Sequence, residues 1–371
     1  MKLESRAQRS SMDWVLAFLV LTIAGVGLVN LRSAAEVEGV ARHMTQLIWM
    51  LLGAGATGLI ASFDYRYFQR WAYLLFGGAV SLLVLVLFVY ATGESGGALN
   101  NSRRWIDLGA FHVQPSELMK VGIIVVTARY FADNAQPGGH GLGTLVPILG
   151  LVAVPIALVM LQPDLGTALV IFFIFATITW FEGIRGSTLV ALGAGALTAI
   201  PLLWTLVMAD YQKARVIAFL NPRDNLQGDA WQVSQARIAI GSGGLFGKGY
   251  LQGTQVQNGF VPEHENDFIF THHAEQFGFV GCMVMLGLYF ALMLWALRVA
   301  RYGRDRFAVL CAVGVAAFFF WHVTVNLGMV TGMLPVVGLW LPLASYGGSS
   351  TLTVMLAVGL LMSISIRRAT F

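Results

Sequence analysis

The sequence predicts an all-α polytopic membrane protein of about ten transmembrane helices, and three observations carry that prediction. Of its 371 residues, 57% are hydrophobic and only 11% are charged. The mean hydropathy is +0.71. Long apolar runs recur along the whole chain, most of them separated by short connectors. A soluble protein of this composition would lack the polar residues needed to cover its surface. A bilayer removes the conflict, because lipid covers the apolar side chains and each helix satisfies its own backbone.

A helix of about 20 apolar residues crosses the hydrocarbon layer. Ten segments approach that length: 14–33, 45–62, 72–91, 117–133, 145–161, 167–182, 186–208, 278–300, 307–330 and 349–366. Lys2, Arg6 and Arg9 precede the first. Its apolar stretch, Trp14 to Leu31, is longer than the roughly 7–15 residues of a cleaved signal peptide's core, so it reads as a retained first span. Residues 1–371 form one integral membrane domain, with no internal repeat and no linker to a soluble unit.

Orientation follows from Lys and Arg in short connectors. With the N-terminus cytoplasmic, that side holds Lys2, Arg6, Arg9, Arg66, Arg70, Arg185, Arg298, Arg301, Arg304, Arg306, Arg367 and Arg368. The short outer connectors hold Arg42, Arg103 and Arg104. Both termini are therefore expected in the cytoplasm. The net charge of +4 belongs to this asymmetry, not to a nucleic-acid surface, since there is no basic helix or nucleic-acid motif. Cys282 and Cys311 fall within apolar spans and read as small buried residues.

One connector breaks the pattern. Residues 209–277, between spans seven and eight, form a large extracytoplasmic loop, and loops of that length are usually functional. Its segment 229–241 reads equally as an amphipathic helix or a strand lying on the membrane. The connectors 92–116, 162–166 and 331–348 are outer as well, and all are rich in Gly, Pro and polar residues. The unusual polar motifs thus share one face, which places the function at the outer leaflet.

Acids at membrane depth are costly and mark function by default. Asp267 stands where the large loop meets span eight, after Gly259-Phe-Val-Pro-Glu-His-Glu-Asn, with Glu275 beyond it. Glu117 opens span four, and Lys120, three residues on, shares its helix face, so the two either act in function or brace the fold. Asp164, in Gln162-Pro-Asp-Leu-Gly166, is either functional or a cap for span six. Arg103, Arg104, Lys213, Arg215, Arg223, Arg237 and Lys248 lie outside against the charge trend, as a phosphate-bearing substrate would require. Acids in the same long loop leave a solvated, balanced surface as the other reading. Gly241-Ser-Gly-Gly244, Gly247-Lys-Gly249 and Ser345-Tyr-Gly-Gly-Ser349 fit anion-binding nests or tight turns. His264, His272 and His273 lack zinc spacing. Oxygen ligands near Asp267 and Glu265 leave room for a divalent cation.

Eight strings in order resemble the SEDS family (shape, elongation, division and sporulation): Arg103-Arg-Trp-Ile-Asp107, Gln114-Pro-Ser-Glu-Leu-Met-Lys120, Gln162-Pro-Asp-Leu-Gly-Thr167, Tyr211-Gln-Lys-Ala-Arg215, Ala239-Ile-Gly-Ser-Gly-Gly244, Asp267-Phe-Ile-Phe270, Leu334-Pro-Val-Val-Gly338 and Ser345-Tyr-Gly-Gly-Ser349. The short tails resemble its elongation branch more than its division branch. The resemblance implies a peptidoglycan glycosyltransferase in the bacterial cytoplasmic membrane. It would polymerise lipid II, a disaccharide-pentapeptide on undecaprenyl diphosphate, beside a class B penicillin-binding protein. The family's key acid maps onto Asp267, and its Glu–Lys pair onto Glu117 and Lys120. Glu265 and Asn266 depart from the family's usual His-Thr or Gln-Thr, and Thr271-His-His273 replaces a run usually apolar. The added carboxylate is expected to raise the proton affinity of Asp267 or to help hold a cation, Mg or Mn.

On this reading Asp267 is the catalytic base. Arg103, Arg104, Arg215, Lys248 and Ser345 contact substrate, while Glu117, Lys120, Asp164 and Glu275 support the site. Single displacement by a sugar hydroxyl inverts the anomeric carbon. A lipid flippase and a non-catalytic scaffold for the penicillin-binding protein are the alternatives.

Overall fold

The structure, a computed structural model, describes residues 12–38, 41–91, 104–107, 112–221, 228–260 and 265–367. In chain order these form α1 (Trp14–Glu38), α2 (Arg42–Ser62), α3 (Tyr65–Arg70), α4 (Ala72–Ala91), β1 (Ile106–Asp107), β2 (His112–Val113), α5 (Pro115–Asp133), α6 (Leu142–Leu161), α7 (Leu165–Glu182), α8 (Gly186–Leu202), α9 (Asp210–Leu220), α10 (Asp229–Ser242), α11 (Thr254–Gln257), α12 (Ile269–Arg301), α13 (Arg306–Val330) and α14 (Gly348–Ile366). The sequence pattern did not suggest the short hairpin β1–β2, which pairs Ile106 with Val113.

Among the described residues, nine helices are long and apolar enough to cross a membrane: α1, α2, α4, α6, α7, α8, α12, α13 and α14. The remaining expected span, α5, carries Glu117, Lys120, Arg129 and Asp133 in 19 residues. Its packing still makes it a crossing. At its start, Gln114 bonds Asp164 beside α7 and Ser349 in α14. At its end, Phe131 packs 4.8 Å from the ring of His140, which bonds Glu182 at the far end of α7. The helix therefore runs the same thickness as α7, roughly 28 Å at 1.5 Å per residue.

Alternate connections gather at opposite ends of the bundle, as ten crossings require. The Asp267 end collects the described parts of the segments after α1, α4, α6, α8 and α13, joined by contacts such as Arg42–Glu265, Arg104–Gln162 and Gln46–Thr351. The opposite end collects the segments after α2, α5, α7 and α12. There the Tyr65 hydroxyl donates to Asp305 at 2.7 Å, and Asp305 caps α13 by accepting from the Ala308 amide at 2.9 Å. Burial, and then the Asp305 carboxylate, push the Tyr65 phenol up to about 12, so it stays a donor. Asp13 gathers three helices, accepting from the Leu16 amide of α1, Trp295 of α12 and Ser365 of α14.

The core lies along α5, α13 and α14, whose residues are mostly buried. At the rim, α8 buries only Thr188 among its described side chains and otherwise presents apolar residues outward. It ends in a π-helical turn at Leu203–Val207, just after Pro201.

Two boundaries differ from expectation. The segment 229–241 resolves as helix α10. The large loop ends at Phe268 instead of residue 277, because α12 begins at Ile269 and is broken at Gly278 (φ 64°, ψ −161°). Residues 269–276 are all buried and form a half-helix that precedes the lipid-facing part.

Candidate active site

Asp267 lies in the turn 265–268 that leads into the α12 half-helix, and it is half-buried. Short polar contacts fix the turn's backbone. The Tyr346 amide donates to the Glu265 carbonyl at 2.9 Å, and the Ser345 hydroxyl donates to the Asn266 carbonyl at 2.6 Å. The Asn326 amide donates to the carbonyl of Asp267 itself at 2.8 Å. The α13–α14 loop forms the wall beside the carboxylate. A Cβ built on Gly338 (φ +71°) would stand 3.5 Å from Asp267 Oδ2. A residue with a side chain would be strained there by the positive φ and would meet the acid at ordinary contact distance.

Glu265 corrects one expectation. Its side chain is buried, and it forms an ion pair with Arg42, whose guanidinium also stands 5.8 Å from the centre of the Tyr346 ring. The carboxylate expected to repel Asp267 is thus balanced by a cation. Arg42 contacts the Oε2 oxygen of the second carboxylate expected beside a divalent ion. Among the described residues, no three His, Cys, Asp or Glu side chains are grouped to hold a metal.

Beneath this turn, Glu117 and Lys120 are fully buried and 2.8 Å apart. Lys120 Nζ also lies 3.1 Å from His322 Nε2 and 4.8 Å from the Trp340 ring centre, and the Trp340 indole donates to Glu117 at 3.1 Å. Lys120 as donor makes His322 Nε2 an acceptor, which puts the ring proton on Nδ1, 3.3 Å from the Trp340 carbonyl. The pair braces α5 to α13 and to the loop that walls Asp267.

Asp164 is the cap of α7, accepting from the Thr167 amide at 3.2 Å and from Gln114 at 2.9 Å. Arg104 straddles this corner, donating to the Gln162 carbonyl at 2.9 Å and to the Pro163 carbonyl, with its guanidinium 4.0 Å from Asp164. A third of its side chain remains exposed. Arg103, its expected companion, lies outside the described residues, as do Arg223 and His264.

Two other expected substrate contacts occupy structural positions. Ser345 is buried, and besides donating to Asn266 its hydroxyl accepts from the Leu341 amide at 2.8 Å. Lys248 pairs with the fully buried Glu275 at 2.6 Å and bonds Thr254. Arg215 lies part-buried on α9, a helix that packs on α10.

The glycine segment around Lys248 completes the broken helix. The Lys248 and Gly249 amides donate to the carbonyls of Glu275 and Gln276, and the Gly244 and Leu245 carbonyls accept from the amides of Phe279 and Val280. Both cut ends of α12 thereby regain hydrogen bonds that would otherwise be lost at membrane depth. A Cβ at Gly243, Gly247 or Gly278 would overlap the opposing backbone. Close approach accounts for these glycines, so they do not form an anion nest. His272 and His273 are likewise structural: His273 Nδ1 lies 3.1 Å from the Asn30 amide, and Gln276 links His272 to Ser33 of α1. The polar run that departs from the family pattern thus meets polar partners in α1.

Sequence reading passed over His322, Asn326 and Gln46. Each is a polar residue inside an apolar span, and that was the available signal. Gln46 donates to Thr351 at 2.7 Å and accepts from the Gly347 amide at 3.0 Å, which ties the Ser345–Ser349 loop to α2.

Residues 11–370 match the family model for FtsW, RodA and SpoVE, described as cell cycle protein. The chain belongs to the FtsW/RodA/SpoVE family. Among its FtsW/RodA/SpoVE relatives, peptidoglycan glycosyltransferase MrdB of Escherichia coli K12 is 34% identical over 355 residues, covering 95% of this chain and 93% of the relative. Stage V sporulation protein E of Bacillus subtilis 168 is 34% identical over 366 residues, covering 96% and 98%. A chain from a structure on the coordination of polymerization and crosslinking by a peptidoglycan synthase complex superposes with a TM-score of 0.81 at 32% identity, covering 96% of this chain and 98% of that one. The crystal structure of RodA, the rod shape determining protein of Thermus thermophilus, gives a TM-score of 0.70 at 31% identity, covering 97% and 99%.

Proposed function

We propose that this chain is a peptidoglycan glycosyltransferase that joins lipid II into glycan strands, with Asp267 as the base. The observation that carries this reading is a half-buried Asp at one end of a membrane bundle, its backbone held by buried polar contacts from α13 and the α13–α14 loop. The acceptor hydroxyl attacks the anomeric carbon of the donor sugar. Its proton passes to Asp267, and the sugar–oxygen bond to the lipid diphosphate breaks with its electron pair on the leaving phosphate oxygen. A base within hydrogen-bond reach is what such an attack requires. The diphosphate is already a good leaving group and gains most from fixed positive charge. Arg104 supplies that charge on this reading, since its guanidinium is held at the same end and stays one-third exposed.

A divalent cation, Mg or Mn, enters with the substrate in this proposal, because hard cations take phosphate oxygens together with one or two carboxylates. No step above depends on it. The Asp267 end faces away from the cytoplasm of the bacterial inner membrane. Arg66, Arg70, Arg185, Arg298, Arg301, Arg304, Arg306 and Arg367 at the opposite end support that orientation and cytoplasmic termini. A class B penicillin-binding protein is the proposed partner, supported by the likeness to a chain from a complex that couples polymerization to crosslinking. Assignment to cell elongation is supported by the likeness to RodA, a rod shape determining protein.

The test uses purified chain in detergent, with lipid II as the only sugar source and no separated compartments. Glycan strands are expected. A flippase would make none under these conditions, and failure to polymerise with both the transpeptidase partner and a divalent cation present would overturn the reading.

A further inference from the structure

The contact between Asn326 and Asp267 goes further than packing. Asn326 is fully buried on α13, and its side-chain amide donates to two carbonyls from separate segments, Asp267 at 2.8 Å and Leu339 at 2.5 Å. One carbonyl belongs to the residue carrying the carboxylate. The other follows Gly338, the residue whose backbone passes beside that carboxylate. With acceptors on both sides, the amide has one favourable orientation, because a flip would set its oxygen against two carbonyl oxygens. Ser345 repeats the arrangement one residue away, joining the Asn266 carbonyl to the Leu341 amide. Two buried side chains therefore lock the turn 265–268 to the loop 338–341.

We infer that Asn326 is the positioning residue for the Asp267 carboxylate, setting the distance between the acid and the Gly338 backbone beside it. The inference rests on Asp267 being the base. The hydrogen bonds reach the acid through its backbone, so Asn326 touches neither substrate nor reacting atoms. Displacing a catalytic group by about 1 Å lowers a rate by as much as about 100-fold without any change in binding contacts.

The experiment measures lipid II polymerisation by Asn326→Ala, Asn326→Gln, Ser345→Ala and Asp267→Asn, each purified as a monodisperse full-length protein. Asn326→Ala is expected to lower kcat about 10- to 100-fold with KM within about twofold of wild type. Asn326→Gln keeps the donor on a longer stem and recovers part of the loss. Ser345→Ala, which acts on the same turn from another side, shows a smaller loss of the same kind should Asn326→Ala not fold. Wild-type kcat in the Asn326→Ala and Ser345→Ala proteins, or a loss confined to KM, overturns the positioning role while leaving Asp267 as base. An active Asp267→Asn protein instead overturns the assignment of the base.

Discussion

Arg42 at the start of α2 and Glu265 in the turn before α12 form an ion pair two residues from Asp267, with Glu265 buried and Arg42 one-third exposed. Removing one partner of such a pair strands the other charge in a poorly solvated place. Arg42→Ala is expected to destabilise the protein by roughly 3 kcal/mol, at the low end for buried pairs because the arginine is partly wet. Adding Glu265→Gln to that variant should restore much of the loss. Thermal unfolding in a fixed detergent checks both, and an additive double variant would show that the two residues act independently.

Gly247 tests the completed helix against an anion site. Its φ is +82°, and a Cβ would overlap the Gln276 carbonyl. Gly247→Ala should therefore cost roughly 3 kcal/mol or more and reduce the yield of folded protein. Gly241, in the same motif, has open space around its Cβ position, so Gly241→Ala should be tolerated. Normal folding of Gly247→Ala with weakened substrate binding would instead favour a phosphate nest.

His140, at the end opposite Asp267, gives a pH dependence whose sign is fixed. Its ring is buried, donates to Glu182 across 3.3 Å, and faces the charges of Arg306 and Arg185. Burial first, and then those two arginines, lower its proton affinity below the ordinary histidine value. The unfolded chain then binds the extra proton more readily than the folded one. Stability is full above about pH 6.5, the unfolded value, and falls as the pH drops through the lower folded value. Melting temperatures at about pH 7.5 and pH 5 should differ less for His140→Gln than for wild type, after subtraction of effects common to both. An equal drop in both proteins would remove His140 as the cause.

Much of the architecture was legible because bilayer physics is demanding. Spans must be long and apolar, and basic residues sort to one side, so the ten crossings and their alternation could be read directly. Even α5, whose four charges lower its apolarity, falls among the ten apolar segments at 117–133. The half-helix 269–277 was not legible. Its run Thr271-His-His273 looks like loop, and only the tertiary partners Asn30 and Ser33 make it a buried helix. The glycine motif posed the same difficulty, since the backbone it approaches lies about 30 residues later in the chain. Asp267 stood out through its motif, Asp267-Phe-Ile-Phe270, and the family resemblance, more than through its place between loop and span. Asn326 did not, because one asparagine in an apolar helix shows no partner until the fold brings residues 267 and 339 to it.

The decisive measurement is strand synthesis from purified lipid II by Asp267→Asn, alongside wild type at matched folded concentration. The substitution keeps the shape of the side chain and removes its ability to take a proton. A folded, membrane-inserted variant with polymerisation lowered at least about 100-fold is the predicted result. Strands formed at the wild-type rate would contradict the role given to Asp267.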